Sequence, residues 1–144
     1  MTVAAITAVL GGRKTLKRNV DYESELTLLT REGLPVTALT SMAKELVIDR
    51  RTLAHVVGIS DRTLSRRIAK GERLSLEESD RTVRLARVVA MATETLGTSQ
   101  KASLWLQTAN RALDGAVPLD LMDTDTGVRS VETILGRIAW GVYS

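Results

Sequence analysis

The stretch that most constrains this chain runs from Ser75 to Gly97. It opens with Ser75-Leu76-Glu77-Glu78, in which the serine oxygen and the glutamate three positions on can each satisfy an orphan amide of a first helical turn. It closes at Gly97, a residue type that ends helices because it reaches the left-handed conformation at little cost. The spacing predicts a helix from about Leu76 to Leu96. Val83, Leu85, Ala86, Val88, Val89, Ala90, Met91 and Ala92 make it apolar over much of its circumference, with arginines only at intervals. Such a helix must be covered on more than one side. It reads first as the central helix of its own domain and second as the seam of a homodimer.

The remaining segments are punctuated as helices too. Gly33-Leu34-Pro35 ends one and opens another, Gly58 and Gly71 end two more, and a further helix runs from about Ser99 to Gln107. Residues 114–127 read as a structured loop in which Pro118 sits at the first turn of a short helix. A last helix repeats Val128, Val131, Leu135 and Ile138 and ends near Ala139. Strand signals are almost absent: there is no Asn-Gly or Asp-Gly hairpin turn and no sustained alternation. The expected fold is therefore all-α, with N-terminal helices and a helix-turn-helix over 1–74 and a smaller helical domain over 75–144. An apolar content of 44% in 144 residues can fill a core without staples. With no cysteine there is no disulfide framework, thiolate nucleophile or cysteine-ligated zinc. The absence of cysteine fits a reduced bacterial cytoplasm, and the apolar stretches fall well short of the roughly 20 residues a spanning helix needs, so neither a membrane span nor export is expected.

Charge is unevenly distributed. Residues 1–73 carry 13 Lys and Arg against 8 acids, whereas residues 74–144 carry 7 against 9. A basic half followed by an acidic half points to a nucleic-acid partner for the first and a protein partner for the second. The basic half contains the most specific local pattern, Leu53-Ala54-His55-Val56-Val57-Gly58-Ile59-Ser60-Asp61-Arg62-Thr63-Leu64-Ser65-Arg66-Arg67-Ile68. A small residue at Ala54 admits a crossing helix, Gly58 makes the tight turn, and Leu53, Val57, Ile59 and Leu64 fix the crossing angle: this is a helix-turn-helix. At about 100° per residue, Arg62, Arg66 and Lys70 form one stripe with Thr63 and Arg67 beside it, opposite Leu64 and Ile68. Arg67 stands where the common pattern is apolar. Ser60 or Asp61 caps the recognition helix, and the residues after the cap are those that meet base edges. Arg62, Thr63 and Arg66 are thus the expected base contacts, with Arg50, Arg51, Arg67 and Lys70 on phosphates and Ser60 at the cap as a further candidate DNA contact.

Catalytic chemistry finds no footing. His55 is the single histidine and lies inside the helix-turn-helix without an evident partner. Asp123-Thr124-Asp125-Thr126-Gly127 starts like a calcium loop, but its glycine comes one position early and Ile134 stands where the bidentate glutamate belongs. No nucleophile, base and orienting group can be assembled, and Gly11-Gly12 lacks a phosphate-cradling context. The chain is expected to be no enzyme and to carry neither metal nor cofactor.

The tail poses an open question. Two of the four aromatic residues, Trp140 and Tyr143, fall in the last five positions, Trp140-Gly141-Val142-Tyr143-Ser144. Termini are usually polar and frayed. An apolar, aromatic terminus either packs on its own domain or fills a partner's pocket. Trp105 reads as core, Asn110 and Arg111 as structural or interfacial, and Arg137 either as an ordinary surface residue or as a partner for a carboxylate at a pocket's rim.

Several strings together resemble one family: the acidic, leucine-rich Val20 to Gly33, the helix-turn-helix, and Leu74-Ser75-Leu76-Glu77-Glu78-Ser79-Asp80-Arg81. The end is the most specific part. Trp105-Leu106-Gln107-Thr108-Ala109-Asn110-Arg111-Ala112-Leu113, Pro118-Leu119-Asp120-Leu121, Thr124, Gly127 and Gly136-Arg137-Ile138 through Gly141-Val142-Tyr143 resemble the toxin-binding domain of Xre/MbcA/ParS-type antitoxins. Ala109 replaces a usual proline and Asp114 a usual glycine. The resemblance implies the antitoxin of a type II toxin–antitoxin module whose partner is a RES-domain toxin that consumes NAD or transfers ADP-ribose from it. It further implies a homodimer or larger assembly that covers the toxin's active site and represses the shared operon through operator DNA. With it, Trp140, Val142, Tyr143 and Ser144 turn toward the partner's pocket, and Asn110, Arg111 and Arg137 join them as candidate toxin contacts. The alternatives are an ordinary dimeric helix-turn-helix repressor with a C-terminal dimerisation or ligand domain, and a protein adaptor that has lost DNA binding.

Overall fold

The computed structural model describes residues 2–141. Among them are nine α-helices: α1 (Val3–Val9), α2 (Gly12–Leu16), α3 (Glu23–Glu32), α4 (Val36–Leu46), α5 (Arg50–Val56), α6 (Asp61–Lys70), α7 (Leu76–Leu96), α8 (Ser99–Leu106) and α9 (Asp125–Ala139). Two 3-10 turns, Arg111–Leu113 and Pro118–Leu121, join α8 to α9. No strand occurs among the described residues, only one isolated bridge between Pro35 and Arg73.

The predicted central helix is central. Ser75 Oγ accepts from Glu78 N and Glu78 Oε1 accepts from Ser75 N at 2.8 Å, which closes the expected capping box at the start of α7. Helices α1 and α3 pack on α7 from the N-terminal half, and α8 and α9 from the C-terminal half. Val83, Leu85, Val88 and Val89 are all buried in consequence, each such side chain contributing about 1.5–3 kcal/mol relative to exposure. The buried apolar side chains form one cluster that extends from Ile6 to Leu135 and crosses residues 74 and 75 without a break. Helix α7 therefore belongs to both halves. None of the described helices is long and apolar enough to cross a membrane.

Buried polar groups stitch the halves together. Ser79 Oγ, fully buried on α7, accepts from Leu34 N at 2.9 Å where α4 begins. Ser103 of α8 donates to the Leu46 carbonyl at the end of α4 (2.6 Å). Since an unpaired polar group in such a place would cost roughly 1–3 kcal/mol, these bonds fix the crossing of the elements that they join. Gly33 has φ +99°, and a Cβ there would collide with the Leu74 carbonyl. Glycine lets the two strands of chain close, with Leu74 N donating to Leu34 O at 2.8 Å.

Candidate DNA and partner-protein interfaces

The helix-turn-helix is formed by α5 and α6. Asp49 caps α5 by accepting from Arg51 N (2.8 Å), and Ser60 caps α6 by accepting from Thr63 N (3.2 Å). Leu53, Ala54, Val57, Ile59 and Leu64, the five residues expected to set the crossing, are at most 2% exposed. Gly58 takes φ +84°, and the Arg81 guanidinium of α7 lies so close over it that a Cβ would strike it. Outward from α6 stand Arg62, Arg66 and Lys70, all exposed. Arg62 and Lys70, like Arg50 and Arg51 at the start of α5, have no acidic partner among the described residues. Arg66 makes only a loose pair with Glu72 (3.7 Å). An exposed cation without a countercharge is free to meet a phosphate or a base edge.

Arg67 is a correction to the expectation of an outward phosphate contact. Its side chain is 13% exposed and its Nη1 donates to Glu78 Oε1 of α7. It occupies the inward position, as the apolar residue usual there would, and Glu78 neutralises it. Ile68 beside it is half-buried against the core. Burial pushes the Glu78 carboxyl up, but hydrogen bonds from Arg67 and Ser75 outweigh it and hold the group below its ordinary value. His55 is a surface residue with a partner that the sequence does not reveal: its Nε2 lies 2.7 Å from Asp61 Oδ1 in an exposed pair. Ser60 is committed to its cap and donates to Thr63 Oγ1 (3.1 Å).

At the other end, Asn110 holds the loop after α8. Its Oδ1 accepts from Ala112 N at 2.9 Å, while its backbone bonds Ala116 and Gly115. Arg111 and Arg137 are exposed. Asp114 takes φ +55°, the left-handed region that glycine favours and aspartate tolerates. Thr124 caps α9 by accepting from Gly127 N (3.0 Å), and a Cβ on Gly127 would collide with the Leu121 carbonyl. Asp125 receives Arg129 Nε at 2.9 Å and Arg84 Nη1 at 3.5 Å. The Arg129 hydrogen bond and charge hold its carboxyl below the ordinary range. Asp120, Asp123 and Asp125 do not converge on a metal position. Trp105 is partly buried against the core, with Leu106 fully buried beside it and Leu104 70% exposed.

Trp140 ends α9, its N–H donating to the Gly136 carbonyl at 3.1 Å, and its side chain is 87% exposed. Val142, Tyr143 and Ser144, named as toxin contacts, lie outside the described residues. Sequence reasoning missed an open groove of about 490 Å³ between α9 and the 111–121 loop, which includes Leu113, Leu121, Arg129 and Thr133. No periodicity points to it, because one wall is irregular backbone.

Two family models match the chain. Residues 25–87 match the antitoxin Xre-like helix-turn-helix domain, and residues 91–141 match the antitoxin Xre/MbcA/ParS C-terminal toxin-binding domain. An antitoxin Xre from Photorhabdus laumondii is 30% identical over 134 residues, covering 90% of each chain. An antitoxin Xre from Yersinia enterocolitica is 32% identical over 113 residues, 78% of this chain and 76% of the relative. A Prs ADP-ribosylating antitoxin from a Sphingobium species is 25% identical over 123 residues, 79% of this chain and 77% of the relative. With a helix-turn-helix built on α5 and α6, a match to the toxin-binding domain over residues 91–141, and a relative 30% identical over 90% of its length, the chain belongs to the Xre antitoxin family.

Proposed function

We propose that the protein silences a RES-domain toxin that consumes NAD or transfers ADP-ribose from it, by covering that enzyme's active site with its C-terminal half. As a homodimer in the bacterial cytoplasm, it also represses the operon that encodes the pair. The observation that carries the first part is the side chain of Trp140, 87% exposed at the last turn of α9. A large aromatic with a polar edge, left mostly in water at a helix end, buries little area in its own chain and suits a partner's pocket. The name of the Sphingobium relative, which speaks of ADP-ribosylation, agrees with a partner of this chemistry. Exposed, unneutralised Arg62 and Lys70 on α6, with Arg50 and Arg51 before it, support the second part, Arg62, Thr63 and Arg66 reading bases and the others positioning the duplex. A division of labour between residues 1–74 and 75–144 goes with this reading.

Removing residues 140–144 tests it. The truncated protein is expected to fold and to bind operator DNA, since Trp140 is 87% exposed, yet to leave NAD falling in cells that co-express the neighbouring toxin gene. Full protection by the truncated protein would place the neutralising surface elsewhere. Light scattering of the full chain, free and on DNA, is expected to give at least a dimer, because paired half-sites require two recognition helices; a monomer in both states would overturn that part.

A further inference from the structure

Helix α2 lies before the matched helix-turn-helix, and its cations have no role in the function described above. Gly11, with φ +98°, is what seats α2: a Cβ there would collide with the Thr15 side chain and stand 2.9 Å from Ser41 Oγ of α4. The close approach leaves an open groove of about 500 Å³ between α2 and α4 that reaches the first residue of α5. Thr15, Thr37, Thr40, Ser41, Lys44 and Arg50 line it, and no carboxylate does. Three other grooves on the surface each carry at least one acid. The Ser41 hydroxyl has no hydrogen-bond partner among the described residues. Lys44 and Arg50, with Arg13, Lys14 and Lys17 on and beside α2, are exposed and have no acidic partner among those residues.

Hydroxyl donors beside unneutralised cations, with no acid to repel an anion, suit a phosphate oxygen. A polyanion fits better than a small ion, because the cations continue past the groove along α2. Arg50 also opens α5, the helix that crosses the backbone in this type of fold. The geometry points to a second backbone site: the α2–α4 groove takes a phosphodiester of duplex DNA outside the base pairs faced by α6, with Lys44 and Arg50 as countercharges. This rests on the reading of α6 as the helix that meets DNA.

The test uses the full chain, a labelled duplex from upstream of its own reading frame, and a scrambled duplex of equal length, over a salt series. Lys44→Ala, and separately Arg13→Ala with Lys14→Ala, are expected to weaken both duplexes by the same factor. Each lost contact lowers the magnitude of the salt slope by about 0.9, so the deficit is about threefold larger at 50 mM than at 200 mM salt. All three residues are exposed, and an unchanged melting temperature confirms that folding is not the cause. A slope equal to wild type for both variants would overturn the proposal. So would binding of inorganic phosphate that Lys44→Ala abolishes while the DNA slope stays unchanged. Arg62→Ala separates the two readings: if it removes discrimination between the duplexes while Lys44→Ala changes nothing, the groove alone fails; if neither has an effect, α6 itself is misread.

Discussion

Replacing Glu78 by alanine removes one carboxylate that two helices share. On its own helix Glu78 accepts from Ser75 N at 2.8 Å, half of the capping box, and losing a cap costs about 1 kcal/mol. Toward α6 it neutralises Arg67, which is 13% exposed and whose Nε already lacks a partner. Removing one member of a fully buried pair costs roughly 3–5 kcal/mol. Residual exposure of Arg67 and the freedom of α6 to swing its guanidinium outward reduce this to about 2 kcal/mol. Glu78→Ala should therefore destabilise the protein by about 3 kcal/mol, or roughly 6–12 °C in Tm for a chain of this size. The double variant Arg67→Met with Glu78→Gln tells a different story. Glutamine keeps the capping geometry, methionine fills the inward position, and no charge is left buried, so its stability should lie within about 1 kcal/mol of wild type. Urea unfolding of the wild type, Arg67→Met, Glu78→Gln and the double variant measures the coupling, with Glu78→Ala alongside. Equal losses for Glu78→Ala and the double variant would refute the argument that an uncompensated Arg67 is the dominant cost.

Three further outcomes follow from the geometry. Arg62→Ala should weaken operator binding by about 1–3 kcal/mol at matched salt while toxin binding stays unchanged, read by fluorescence anisotropy on a specific and a scrambled duplex. Because the folded-state Glu78 carboxyl is held below its ordinary value, its contribution is present above the unfolded value of about 4.3 and is lost as pH falls through the folded one. Unfolding free energies measured from pH 6 downward should thus fall more steeply for wild type than for the Arg67→Met, Glu78→Gln double variant. Gly127→Ala should cost about 1–3 kcal/mol, since its Cβ collides with the Leu121 backbone carbonyl, and thermal melts will show it.

Much of this architecture is legible from residue types and spacing. The capping box at Ser75 and the turn between α5 and α6 are local signals: the serine and glutamate of the box lie three residues apart, and the pattern of Ala54, Gly58 and Leu64 places the turn without reference to the rest of the chain. Arg67 shows the limit. Its angle on α6 sets it beside the basic stripe, and nothing within α6 reveals that Glu78, eleven residues on and in another helix, meets it. The His55–Asp61 pair escaped for a similar reason, because it depends on the angle at which α5 meets α6. Gly11 was read only as half of a Gly-Gly pair without a phosphate-cradling context. That it lets α2 sit against Ser41 is a tertiary fact. Asp125 went the other way: read as a loop or cap residue, it is the first residue of α9, and Thr124 caps. The exposure of Trp140 could not be decided from sequence, since an aromatic terminus fits either a core or a pocket.

Helix α7 serves both ends of the molecule, packing against α1 and α3 from the first half of the chain and α8 and α9 from the second. On the function proposed above, a cellular protease that severs it would therefore not release a working repressor and a spent toxin cap. Either fragment would be left with an uncovered apolar face, so both would lose their fold together. Toxin release and operon derepression would then coincide in time, set by the lifetime of a single helix instead of by two separate clocks.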